Sequence, residues 1–135
     1  MKQIISEPKA ILGKWLCART GGTYTGEGQY IGLVEGGKIL AVVGFEDYNY
    51  ASIRMHVAAE GKRWMTREYL RFCFWYPFKQ LKVKKIIGLV SSNNHQALKF
   101  DRHLGFVDEA VIKEAAPDGD LVILTMSEKQ CRFIT

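Results

Sequence analysis

The chain has 135 residues, 47% hydrophobic and 24% charged, with a formal charge of +5. That length and balance fit one domain over residues 1–135 with a real core, and exclude a disordered chain or two ordinary domains. No eighteen apolar residues run together, and MKQIISEPKAIL has no signal-length apolar stretch, so a cytoplasmic protein without a membrane anchor is expected. Cys17, Cys73 and Cys131 are odd in number and widely spaced, which indicates neither a disulfide framework nor a zinc site. Charge is uneven: residues 62–85 hold eight basic side chains against Glu68 alone. That excess suits a polyanionic partner or a solvated helix face.

Ser6-Glu7-Pro8 reads as a helix start, with a capping hydroxyl, an acid in the first turn and a proline whose missing N–H costs nothing there. Ile11, Leu12, Trp15 and Leu16 share one helical face, and the helix is expected to end near residues 19–21. Residues 20–28, rich in glycine and hydroxyls, read as a surface loop. Residues 29–35 and 38–45 are two strands joined by Gly36-Gly37, a loop that tolerates the positive φ of hairpin turns. After a polar break, residues 51–59 place Ile53, Met55 and Val57 on one face and Arg54, His56 and Ala58 on the other, which predicts a third antiparallel strand.

A short basic loop follows, and Thr66 is the expected N-cap of a helix over residues 67–81. Its aromatic residues read as core, and Pro77 predicts a kink. Residues 85–90 form an apolar run that predicts a central strand covered on both faces, parallel to the third strand through a helical crossover. Ser91, Ser92, Asn93 and Asn94 then supply capping oxygens. A helix with Ala97, Leu98, Phe100 and Leu104 at its spacing runs to Gly105. Residues 107–113 and 121–127 form a second hairpin about the turn at 116–120. The fold class is α/β of the mixed α+β kind: a mostly antiparallel central sheet flanked by helices, with one parallel pair.

The ligand position in such a sheet lies where strand direction changes, between the end of residues 51–59 and residues 90–94. No Ser-His-Asp set, HExxH motif or Walker loop is present, and the three histidines have no metal spacing. The basic loop and the following helix N-terminus suit phosphates, through backbone N–H groups with Lys62, Arg63 and Arg67. A nucleotide-like cofactor with a pyrophosphate fits that pattern.

The segment Asn94-His-Gln-Ala97-Leu-Lys-Phe100-Asp101-Arg-His-Leu104-Gly105-Phe106 resembles the N-x-x-A-x-x-(apolar)-Y-x-x-L-G-F signature of the GNAT superfamily of N-acetyltransferases. The order of elements agrees with that family over nearly the whole chain. The resemblance implies transfer of an acetyl group from acetyl-CoA to a primary amine by direct attack, the acceptor being a small molecule or a protein. It further implies that Val57, Ala58 and Ala59 pair through their backbone with the pantetheine arm. Gly61, Lys62, Arg63, Trp64, Met65 and Thr66 would hold the pyrophosphate, with Ser92, Asn94, Ala97 and Phe100 framing the rest.

Two departures stand out. Arg63 and Met65 occupy places where the family's phosphate loop carries glycines, and Asp101 occupies that of the tyrosine that often protonates the leaving thiolate. A carboxylate of ordinary pKa is a poor acid at neutral pH, so Asp101 serves only if its surroundings raise its pKa; otherwise it is a solvated helix residue, and Ser91, Ser92, water or the amine's own proton takes that role. His56 is the first candidate base, because its intrinsic pKa suits the task and its strand leads to the thioester site; Glu46 is the second. The alternative is a CoA- or polyanion-binding module of the same fold without turnover. Nucleic acid is not the expected partner, and exposed sheet edges allow a homodimer.

Overall fold

A computed structural model describes the chain from Met1 to Ile134. Seven strands make one sheet: β1 (Lys2–Ile5), β2 (Gln29–Glu35), β3 (Lys38–Glu46), β4 (Ser52–Ala59), β5 (Lys85–Ser91), β6 (Val107–Ala116) and β7 (Gly119–Met126). Their spatial order is β1-β2-β3-β4-β5-β7-β6, antiparallel throughout except for the pair β4–β5. This is the predicted mixed sheet. Three helices complete it: α1 (Lys9–Thr20), α2 (Arg67–Trp75) and α3 (His95–Leu104).

Strand alternation divides the apolar residues between two faces. Ile53 and Met55 of β4, Ile86 and Val90 of β5, and Val122 and Leu124 of β7 point toward α2 and α3, where they join Tyr69, Leu70, Cys73, Phe74, Leu98 and Leu104 in the main core. A smaller cluster on the opposite face sets Leu12 and Leu16 of α1 against Tyr30 and Val42. Helix α1 packs over β2, β3 and β4. On that same face β5, β7 and β6 have no packed helix among the described residues. Burial along β5 therefore alternates, with Ile86, Gly88 and Val90 buried and Ile87 and Leu89 only half-buried. The predicted covering of both faces is corrected: an unbroken apolar run marked a strand whose second face stays partly open.

Other boundaries differ for local reasons. Strand β1 lacked a sequence signal, because four residues ending at Ile5 carry no clear alternation; it is recruited by antiparallel pairing with β2. Ser6 does not cap α1: the N-cap is Pro8, with no side-chain cap bond, and the Glu7 carboxylate instead accepts from the Lys9 N–H at 3.0 Å. Ile11 is exposed, since the face of α1 that meets the sheet centres on Leu12 and Leu16. Thr66 caps α2 as predicted, its hydroxyl accepting from the Tyr69 N–H at 3.2 Å. The α-helix closes at Trp75 rather than near residue 81, and a π-helical turn over Tyr76–Gln80 absorbs Pro77. The second hairpin is longer than expected at β6, and its tight turn brings Ala116 opposite Gly119.

The seating of α1 depends on a missing side chain. A Cβ at Gly44 of β3 would lie 2.5 Å from Leu16 Cδ2 and 3.1 Å from the Tyr30 ring, closer than packed carbons approach. Replacing Gly44 by alanine should lift α1 or force Tyr30 from its rotamer. We expect a loss of about 1 to 3 kcal/mol in unfolding free energy, read as a lower urea midpoint with unchanged slope.

Candidate active site

The site begins with backbone. Strands β4 and β5 pair only at Ser52↔Lys85, Ile53↔Ile86 and Arg54↔Ile87. Beyond that point β4 continues along β3 as far as Ala59, while β5 continues along β7 as far as Ser91. The facing edges of residues 55–59 and 88–91 thus leave the ladder while each strand stays paired on its other side. Polar backbone groups turned into such a gap require hydrogen-bonding partners. An extended chain carrying amide groups meets that requirement in the way a strand would.

Two side-chain groups flank the opening, one from each face of the sheet. On the α1 face, His56 follows the last paired residue of β4 by two positions. Its Nε2 lies 3.2 Å from Glu46 Oε1 without forming a hydrogen bond. Arg54 lies alongside, its Nη2 3.2 Å from Asp47 and 3.8 Å from Glu46, while its buried Nε is unpartnered among the described residues. Burial, then the Arg54 charge, hold the His56 pKa below its ordinary 6.5, against the opposing pull of Glu46 and Asp47. His56 is therefore a neutral imidazole at neutral pH. With Tyr30, Cys17 and Thr20 it lines a cavity of about 220 Å³ under the end of α1.

On the other face Asp101 of α3 packs over Gly88. Its Oδ2 is 3.4 Å from where a Gly88 Cβ would stand, so a larger residue there would crowd the carboxyl. Among the described residues no side-chain donor reaches that carboxyl, and burial raises its pKa to about 6. The expectation of a solvated residue is corrected: α3 turns Asp101 onto the sheet, because Leu98 and Leu104 bury on neighbouring turns of the helix.

The loop between β4 and α2 is anchored by Trp64, which is buried against Phe100 and Tyr69 with ring centroids 5.2 and 6.4 Å away. Around this anchor, the N–H groups of Gly61, Lys62, Arg63 and Trp64 find no partner among the described residues, whereas those of Met65 and Thr66 bond within the loop. Arg63 is paired with Glu35 at 2.5 Å, and Lys62 and Met65 are exposed. Val57, Ala58 and Ala59 are half-buried along the open edge of β4. Asn94 caps α3 through the Ala97 N–H at 3.1 Å, and Ala97 and Phe100 pack against the core. The hydroxyls of Ser91 and Ser92 are tied to the β6–β7 turn: Ser91 donates to Asp118 at 2.6 Å, and Ser92 accepts from the Asp120 N–H at 3.0 Å. No group of three His, Cys, Asp or Glu suitable for a metal ion occurs among the described residues.

No family model and no curated protein sequence matches the chain. Solved structures do. A spermidine N-acetyltransferase SpeG chimera from Vibrio cholerae and hSSAT superposes with a TM-score of 0.77 over 99% of each chain at 14% identity. Mutant forms of the spermidine/spermine N-acetyltransferase SpeG from Vibrio cholerae give 0.76 over 96% of each chain at 15%. A probable acetyltransferase gives 0.66, covering 91% of this chain and 71% of that one at 13%. The chain has the GNAT fold.

Within the GNAT fold of this chain, sequence reasoning missed Tyr30, Arg54 and Gly88 as parts of the site. Tyr30 and Arg54 sit in ordinary strand patterns, and only register brings them beside Glu46 and His56. The raised Asp101 pKa has a consequence for stability. The folded state binds this proton more tightly than the unfolded chain, so its contribution is complete below about pH 4 and is lost as pH rises toward 6. Asp101→Asn should therefore stabilise the protein at pH 7.5 by about 1 to 3 kcal/mol. The gain should vanish near pH 4, as read from melting curves at both values.

Proposed function

We propose that the protein is an N-acetyltransferase that moves the acetyl group of acetyl-CoA to a primary amine. The observation that carries this reading is the parting of β4 and β5 with a neutral imidazole at one face of the gap and a carboxyl of raised pKa at the other. In this reading the bound cosubstrate supplies a thioester carbon as electrophile. The open edge at Val57, Ala58 and Ala59 pairs with its pantetheine amides. The unpartnered N–H groups of residues 61–64 and the N-terminal turn of α2 bind its pyrophosphate, with Lys62 and Arg67 adding charge. Arg63 contributes only if it leaves Glu35.

The proton inventory follows from the two flanking groups. An ammonium has no lone pair, so the acceptor must lose a proton before its nitrogen bonds to the acyl carbon. His56 takes that proton, and Glu46 beside it stabilises the imidazolium that forms. As the carbon–sulfur bond breaks the electron pair leaves with sulfur, and Asp101, protonated in part because its pKa is about 6, supplies the proton. The nitrogen sheds its second proton as the amide forms, and that proton returns to the Asp101 carboxylate through solvent. Both roles rest on placement. His56 projects from β4 and Asp101 from α3, and the gap lies between them.

Binding and turnover are tested separately. CoA at hundredfold excess over its Kd should add about 2.7 kcal/mol to stability, a rise of several degrees in Tm; no rise with CoA would remove the proposal. His56→Gln should keep that rise while lowering kcat by about a hundredfold or more. In the wild-type protein kcat should be lost on the acid side as His56 becomes protonated, at a pH lower than that of an ordinary imidazole, and should decline above about 6 as Asp101 ionises. Asp101→Asn should abolish the alkaline decline at a lower plateau.

A further inference from the structure

The cavity beneath α1 is only half of the open region on its face of the sheet. Across Arg54 lies a second cavity of about 330 Å³, floored by Ile87, Leu89 and Ile123 and rimmed by Asp47 and Asn49. Register explains the floor. Leu89 of β5 stands directly opposite Ile123 of β7, and Ile87 precedes Leu89 by two residues on the same face. This is the part of the sheet that α1 does not reach, so its side chains are half-buried rather than enclosed. The groove adjoins the polar cavity, since Arg54, which belongs to the last β4–β5 pair with Ile87, lines both.

Charge decides what can lie there. Glu46 and Asp47 supply two negative charges, and the Arg54 guanidinium, within 4 Å of both carboxylates, cancels one. His56 adds none when neutral. One ammonium balances the remainder, and a second would approach Arg54 uncompensated. Building on the proposed acetyl transfer, we infer that the acceptor is a monoamine on an apolar body, its nitrogen beside Glu46 and His56 and its body along Ile87, Leu89 and Ile123. This is a different acceptor class from the spermidine named for the Vibrio cholerae structures.

A three-amine panel with acetyl-CoA and the full chain tests this: ethylamine, hexylamine and spermidine, followed by thiol release. Each buried methylene is worth about fourfold. Since the groove is open on one side, hexylamine should exceed ethylamine in kcat/KM by at least about tenfold and should also exceed spermidine. Ile123→Ala, checked for an unchanged melting temperature, should shrink the hexylamine-to-ethylamine ratio to below about threefold by removing part of the groove floor. Equal use of ethylamine and hexylamine, or spermidine at least as good as hexylamine, overturns the inference and leaves acetyl transfer standing. An unchanged ratio in Ile123→Ala overturns it as well. Acetylation of none of the three, despite stabilisation by CoA, removes the proposed activity and this inference together.

Discussion

Everything that can happen at the centre of this sheet depends on two strands that start parallel and then part. Lys85 begins β5 beside Ser52, and three residue pairs later the strands have different neighbours. Each then keeps one hydrogen-bonded edge, β4 with β3 and β5 with β7, and turns the other into the opening. Backbone N–H and C=O groups in such a place are costly to leave without partners. The fold thereby presents a slot whose chemistry is that of a missing strand. The proposed occupant follows from that hydrogen-bonding demand before any side chain is considered.

The side chains give the two sides of the slot different protonation behaviour. Under α1, burial and the neighbouring Arg54 keep His56 neutral while Glu46 stays close enough to stabilise its charged form. Under α3, burial alone raises the Asp101 carboxyl to about 6. Desolvation thus moves the two groups in opposite directions, because it disfavours the charged form of each: imidazolium in one case and carboxylate in the other. Gly88 leaves room for the second arrangement, since the Asp101 carboxyl packs 3.4 Å from where a Cβ on β5 would stand.

The N-terminal part of the chain contributes through what it covers. Helix α1 fits onto β3 at Gly44 and stops short of β5. The covered portion forms a small second core, and the uncovered portion leaves Ile87, Leu89 and Ile123 accessible next to the titratable cluster. The polar cavity and apolar groove are consequences of the same limited coverage. Anchoring works similarly at the phosphate loop, where Trp64 inserts between Tyr69 and Phe100 while the backbone around it stays open.

Elements with strong local signals were legible in the chain before any folding: the Gly36-Gly37 hairpin, the alternation of Ile53, Met55 and Val57, the Thr66 and Asn94 caps, and the strand-to-helix junction before Ala97. Those signals depend on period, turn chemistry and capping, which act within a few residues. From them came the mixed sheet and its one parallel pair. Packing settled the rest: where β1 pairs, how early β4 and β5 separate, and that Ile87 and Leu89 stay half-open. It also placed Asp101 over Gly88 rather than in water, and gathered Tyr30, Glu46, Arg54 and His56 around one cavity. These depend on register and on the reach of α1, properties of residues up to tens of positions apart that no local pattern encodes.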